Sequence, residues 1–559
     1  MQKNCFVLLS AASLLLLTSC SGKLGALSAD NFTVTPNPLE TMAGKVPATV
    51  NGTFPEKYMK KKAVVTVTPE LRYLDGQVAR GEGATFQGES VQGNDQTILY
   101  QVGGRYSIKT NFDYLDCNKA DMYLTFNAKI GKKSVEVPAV KVAEGIIATS
   151  ELYKNTLKSA QAPIAPDAFQ RINAQKQEAN IKFLIQQATL RQSELKNNSV
   201  QEFVKRLEQI NNDREGLKLN EVEVSAYASP DGGYDLNDKL AAQRQKNTQQ
   251  YVEQQLKKAK LNDATVDAKY TAEDWEGFQE LVNASNIQDK DVILRVLSMY
   301  KDPQEREQQI KNISAAFREL ADGILPQLRR SRMIINYETV GRSDEQIQEQ
   351  LKADASKLNV EEMLYAAALT DNANEKENIY KTTTKLYPND ARAYNNLATI
   401  EYAKGNYDAA KKFVEQAQQV SANIPEAAAN LGLLALQKGD IQNAEALIAK
   451  ASGANGLNEV MGNLNLAKGN YAQAEQDFKD IYSNSAALAQ ILNKNYASAA
   501  VTLKYIKNGD ATTDYLKSIL AARMGNTSDA TEALRSAVAK DPNYAKYSAT
   551  DLELKRITK

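Results

Sequence analysis

Two stretches near the C-terminus, Tyr394–Ala417 and Ala429–Ala451, superimpose at an offset of 34 residues, so that Leu397 matches Leu431, Gly405 matches Gly439, Ala410 matches Ala444 and Ala417 matches Ala451. Each stretch reads as two amphipathic helices with a glycine between them and small residues where the helices face each other. A unit this short has no complete core of its own. It buries its apolar face only against the next copy, so the period commits the region to a stack. Further copies are degenerate but legible: Gly469, Tyr471, Ala474 and Phe478, then Tyr496, Ala499 and Leu503, then Gly525, Ala530, Leu534, Ala537 and Pro542. With the helices before Pro388, residues 341–559 read as an all-α array of roughly five or six units.

The period and the small-residue positions resemble tetratricopeptide repeats. The resemblance implies a curved solenoid whose concave groove holds peptides or helices of other proteins, and the alternative is an array that only spaces other parts. Asn395, Asn396, Asn430 and Asn463 occupy the first-helix positions where such arrays carry groove asparagines.

The middle of the chain carries a strand, a turn and a helix. Val222, Val224 and Ala226 alternate as in a half-buried strand, Pro230-Asp231-Gly232-Gly233 supplies turn chemistry, and a helix opens near Asp235 or Asn237. Arg244 falls on the inner stripe of that helix with Leu240, Ala241, Thr248 and Val252. Such an arginine either packs its stem and snorkels or meets an anionic partner bidentately. The segments Ile181–Leu195, Ser199–Ile210, Thr265–Tyr270 and Leu328–Tyr337 read as a strand with its exit, a helix, a strand and a last strand. This β-α-β-α-β-β order, with Asn237-x-x-Leu240-x-x-x-Arg244, resembles the OmpA-like peptidoglycan-associated domain over residues 180–340.

In that family an acidic residue at the strand end and the helix arginine hold the ammonium and carboxylate of the stem-peptide diamino acid. The resemblance places Arg244 on the family arginine, Asn237 on the helix-start asparagine, Gly232 on the turn glycine and Ser229 on the acidic position. A serine hydroxyl brings no charge, and Asp231 and Asp235 lie close enough in sequence to substitute. Residues 271–327 form an insertion that reads as helical: Thr271 and Asp274 suggest a cap, Phe278, Leu281 and Val282 one stripe, Val292, Ile293, Val296, Leu297 and Met299 another, and Ile310, Ile313, Phe317 and Leu320 a third after Pro303. Trp275, the only tryptophan, reads as an anchor packing the insertion onto the domain or as a hot spot for a partner.

Residues 1–19 have the basic start, apolar run and small residues of a secretory signal. Leu17-Thr18-Ser19-Cys20 matches the bacterial lipobox, which implies cleavage before Cys20 and its acylation. Residues 20–30 form the tether. Residues 31–145 hold about seven alternating segments separated by turn residues, the pattern of an immunoglobulin-like β-sandwich with Val64, Val65 and Val67 in its core and Tyr100, Tyr106, Tyr114 and Tyr123 either packing between sheets or forming a recognition face. Residues 146–179 lose alternation, contain Pro163 and Pro166, and read as a linker. The fold class is thus multidomain α+β.

Composition narrows the function. Lysine plus arginine and aspartate plus glutamate number 68 each, which leaves no net field to attract nucleic acid. Histidine is absent, which removes the commonest general base and transition-metal ligand. No nucleophile elbow, phosphate-cradling loop or paired-cysteine spacing appears, so neither an enzyme, nor a cofactor, nor a metal site is expected. The resulting expectation is an outer-membrane lipoprotein, lipid-anchored and periplasm-facing, that contacts the peptidoglycan stem peptide through its OmpA-like domain and protein partners through the repeat groove. A docking component of an outer-membrane secretion or assembly machine without wall binding, and a surface adhesin, are the alternatives.

Overall fold

The computed structural model describes residues 23–115, 119–287, 289–312 and 318–558. The signal sequence, Cys20, Cys117, Ile313 and Phe317 lie outside the described residues. Two compact units are present, one running to Pro166 and resuming at Thr370, the other formed by Asp167–Leu369.

The first unit begins with two face-to-face sheets. One has the order β1-β3-β8, from Phe32–Thr35, Lys45–Phe54 and Gly104–Asp113. The other has the order β10-β9-β4-β6-β7, from Lys133–Glu144, Ala120–Ile130, Ala63–Tyr73, Ala84–Gly88 and Gln96–Ile98, with β5 (Val78–Arg80) against β4. A short parallel pair joins β2 (Leu39–Glu40) to β11 (Ile146–Ile147). Val50, Phe54, Val65, Val67, Leu71 and Leu124 are buried between the sheets. Val64 is half-buried on the opposite side from Val65, as strand alternation requires. Of the four tyrosines expected between the sheets only Tyr106 is fully buried. Pro138, which has no N–H for the ladder, sits where the register of β10 slips against β9.

The second unit holds a four-stranded sheet of order β12-β15-β13-β14, from Ile172–Lys182, Arg330–Val340, Leu217–Tyr227 and Val266–Thr271. Helices α1 (Asn198–Asn212) and α2 (Tyr234–Lys258) cover it with Val200, Phe203, Leu207 and Val252. Strand β12 starts inside the span expected to be a linker. It is an edge strand paired along its whole length with β15 and exposed over most of its residues, so its ladder forms without an apolar alternation to announce it. Between β14 and β15 lie α3 (Trp275–Ala284), α4 (Lys290–Met299) and α5 (Pro303–Lys311), which share a small core of Phe278, Val282, Ile293, Leu297 and Ile310. Val292 and Met299, expected on the buried stripe of α4, are exposed. Trp275 packs edge-on against Phe278 and beneath the Arg306 guanidinium within this same insertion. Helices α6 (Asp344–Asp354) and α7 (Val360–Ala368) close the second unit.

The first unit resumes with α8 (Ala373–Leu386) and then five antiparallel pairs. These are α9/α10 (Ala391–Ala403, Tyr407–Val420), α11/α12 (Pro425–Gln437, Ile441–Ile448), α13/α14 (Leu457–Ala467, Tyr471–Asp477), α15/α16 (Asn484–Leu492, Tyr496–Tyr505) and α17/α18 (Ala511–Arg523, Thr527–Lys540). A last short helix, α19 (Asn543–Ser548), follows. Gly405, Gly439, Gly469 and Gly525 end the first helices of four pairs at φ between 75° and 79°, where a side chain would be strained. Close approach within a pair has its own glycines: a Cβ on Gly462 would lie 2.7 Å from the Phe478 ring. No helix among the described residues is long and apolar enough to cross a membrane.

Gly462→Val is therefore predicted to push α13 from α14 and to cost about 2 kcal/mol, as overpacking of a filled interface does. Thermal unfolding of the purified variant checks this, and an unchanged midpoint would contradict the packing described.

Candidate functional site

The first helices of the pairs form one face of the solenoid, and this face is already occupied. Residues 149–166, expected to be free linker, lie along it as a strap. At its start Thr149 donates to Glu553 at 2.7 Å, and Glu553 is held by the Nε of Arg523 at 2.9 Å. Thr156 and Ser485 of α15 share a hydroxyl hydrogen bond of 2.9 Å. The Gln161 N–H donates to the Glu459 carboxylate of α13 at 3.1 Å, and the Tyr402 hydroxyl of α9 donates to the Leu157 carbonyl at 2.7 Å.

The strap then becomes extended through Ala162-Pro163-Ile164-Ala165-Pro166. Proline has a carbonyl and no N–H, so Pro163 offers only an acceptor. That acceptor takes two amides, from Asn430 of α11 at 2.9 Å and Asn395 of α9 at 3.0 Å. Asn396 reads Ala165 at both ends, accepting from its N–H at 2.8 Å and donating to its carbonyl at 2.9 Å. Leu152, Tyr153, Leu157 and Ala165 are buried in the solenoid core, so the strap supplies apolar surface as well as polar partners. Asn463, the fourth asparagine expected in the groove, instead donates to the Glu459 carbonyl of its own helix at 2.8 Å.

Glu459 has only 8% of its surface exposed, and this burial raises its carboxyl above the usual range while the strap N–H partly opposes the shift. A folded-state pKa above the unfolded one favours the protonated form. Its contribution to stability is complete below the unfolded pKa and is lost as pH rises through the folded one.

The Arg244 region is arranged differently from the expectation. Gly233 caps α2, Asn237 is buried and donates to the Gly232 carbonyl at 2.8 Å, closing the turn, and Asp235 stands exposed in the first turn. Arg244 itself is 1% exposed. Its Nε donates to Gln187 O at 3.0 Å, one terminal nitrogen to Tyr227 O at 2.8 Å and the other to Leu184 O at 3.4 Å, with the Phe183 ring 5.0 Å away. Burial lowers its pKa to about 10, with nearby Arg329 adding to the effect and Asp231 opposing it. It therefore stays charged at neutral pH and ties backbone carbonyls of the sheet side together.

Ser229 is also buried. Its hydroxyl donates to Asp231 and accepts from Arg329 Nε at 3.1 Å, while Arg329 reaches Asp231 through a second nitrogen at 2.8 Å. Ser229, Asp231 and Arg329 thus form a closed polar triad beside Arg244. Arg329 was not singled out from the sequence, where Leu328-Arg329-Arg330 reads only as the start of a strand. Among the described residues no cluster of three or more histidine, cysteine, aspartate or glutamate side chains is placed to hold a metal.

Two outcomes follow from this geometry. Asn396→Ala removes both bonds to Ala165 and leaves two buried backbone groups unpaired, so it is expected to destabilise the first unit by about 2 kcal/mol or more, seen as a lower denaturant midpoint. Glu459→Gln keeps an acceptor for the strap N–H without the buried charge. Its melting temperature should exceed that of the native protein at pH 8, with the difference vanishing as the pH falls to about 4.

Residues 391–424, which span α9 and α10, match the family model of the tetratricopeptide repeat. Among solved structures, that of the APC/C hetero-tetramer Cut9-Hcn1 is 16% identical with a TM-score of 0.31, covering 38% of this chain and 45% of that chain. A tetratricopeptide repeat protein from Parabacteroides merdae is 15% identical with a TM-score of 0.27, covering 38% of this chain and 91% of that one. PilF of Pseudomonas aeruginosa is 16% identical with a TM-score of 0.26, covering 36% and 98%. No curated protein matches the sequence. Residues 391–424 are thus a tetratricopeptide repeat, set within a C-terminal series of helix pairs.

Proposed function

We propose that the protein is a non-enzymatic, lipid-anchored scaffold on the periplasmic face of the outer membrane. In this reading Cys20 carries the lipid, the repeats recruit protein partners, and the OmpA-like second unit docks protein and not peptidoglycan. The resemblance of the second unit rests on its strand and helix order and on the Asn237 to Arg244 spacing. The observation that favours docking over wall binding is the saturation of Arg244: its guanidinium is inside the fold with three carbonyls on it, and Ser229 and Asp231 are engaged by Arg329. A stem peptide would need to displace these partners before gaining its own, and each buried group left unpaired costs on the order of 1–3 kcal/mol.

Retention on purified sacculi tests this. The expected result is background retention of the native protein, unchanged in Asp231→Asn, together with a protein neighbour crosslinked in intact cells. Retention well above background that is lost in Asp231→Asn would restore the wall-binding reading.

A further inference from the structure

One end of the β-sandwich has a composition that the scaffold reading does not use. The loop after β3, the loop before β8 and the β9–β10 turn all lie at this end, because Phe54 pairs with Gly104 and Ala63 with Ile130. They carry Lys57, Lys60, Lys61, Lys62, Lys132 and Lys133, against Glu56, Glu89 and Asp95, with Glu89 paired to Lys61 at 2.8 Å. The loop before β8 adds an apolar tip: Leu99 is 49% exposed and Val102 71% exposed. The tip is held in place, since Gly103 N–H donates to Leu99 O at 2.9 Å, Lys57 N–H donates to Tyr100 O at 2.6 Å, and the Lys60 ammonium lies 5.0 Å from the Tyr100 ring centroid.

The chain enters the sandwich at this same end. The Tyr58 hydroxyl donates to the Gly25 carbonyl at 3.1 Å, and Leu24 and Leu27 are buried in the sandwich core. The opposite end meets the solenoid instead: Thr41 shares a 2.7 Å hydroxyl bond with Ser150 of the strap, and Gly145 lies against Leu552.

We propose that the Lys57, Leu99 and Lys132 end of the sandwich is a membrane-docking surface, seated on a phospholipid bilayer with anionic headgroups. The tip supplies apolar side chains to the interface and the surrounding lysines meet the phosphates, the two contributions that hold peripheral proteins on lipid. The inference extends the lipid-anchored reading: Cys20 precedes Leu24 by four residues, a reach of at most about 14 Å, so an acyl chain there would bring this end to the bilayer.

The test uses residues 23–559, which lack any acyl chain, sedimented with phosphatidylcholine vesicles with and without phosphatidylglycerol. The native sequence should partition onto the anionic vesicles and release as salt rises. Lys57→Glu with Lys132→Glu should weaken partitioning by at least about 25-fold, at about fivefold for each positive charge lost before the added repulsion. Leu99→Ser with Val102→Ser should weaken it about tenfold, while Lys411→Glu in the solenoid leaves it unchanged. Melting temperatures confirm that the variants fold, and the salt titration of the native chain stands without them. Equal partitioning onto both vesicle types, salt-independent binding, or charge-reversed protein that binds like the native chain overturns the proposal. Palmitate labelling of Cys20 is a separate readout: an unlabelled protein removes the anchor and leaves the vesicle result intact.

Discussion

The first unit depends on the contact between side-chain amides of the repeats and the backbone of the strap. An asparagine amide offers a donor and an acceptor on one rigid plane, which matches the carbonyl and N–H of an extended residue, as Asn396 does with Ala165. These bonds are made in a buried setting, where each is stronger and each loss is dearer than at the surface. With Leu152 and Leu157 inserted beside them, the strap is part of the solenoid core and not a passing ligand. The face that tetratricopeptide arrays commonly offer to partners is therefore closed by the chain itself.

The second unit uses the same economy of buried polar groups with charge added. Arg244 gathers three backbone carbonyls, and Arg329 joins Ser229 to Asp231. Breaking such a set exposes an uncompensated group, so each member is worth more in place than its single bond suggests. Residues that read as ligand-binding from their types alone here bond the backbone and one another.

The sequence was most legible where periodicity and burial coincide. The repeats announced themselves because alanine and glycine recur at 34 residues, and α1 because Val200, Phe203 and Leu207 fall on one stripe. Strand β12 was hidden because an exposed edge strand has backbone partners but little apolar pattern. The strap was hidden for a related reason: a proline-containing extended segment looks the same docked or free, and the asparagines that hold it are more than 200 residues away, Ala165 from Asn396 by 231. Arg244 was placed correctly on the inner stripe of its helix, yet its partners are carbonyls, which leave no mark on residue identity.

The strap also fixes an order of events. Thr149 and Glu553, hydrogen-bonded in the finished fold, are separated by 404 residues. During synthesis the strap emerges before the whole of the second unit and before every helix that will receive it. Closing so long a loop has an entropic cost, and contacts of such range form late in folding. Until α9 and the helices after it exist, the apolar side of the strap has no mate. The interval of exposure is set by the order of segments along the chain, and apolar surface left open in that interval is what makes partly folded chains prone to aggregate.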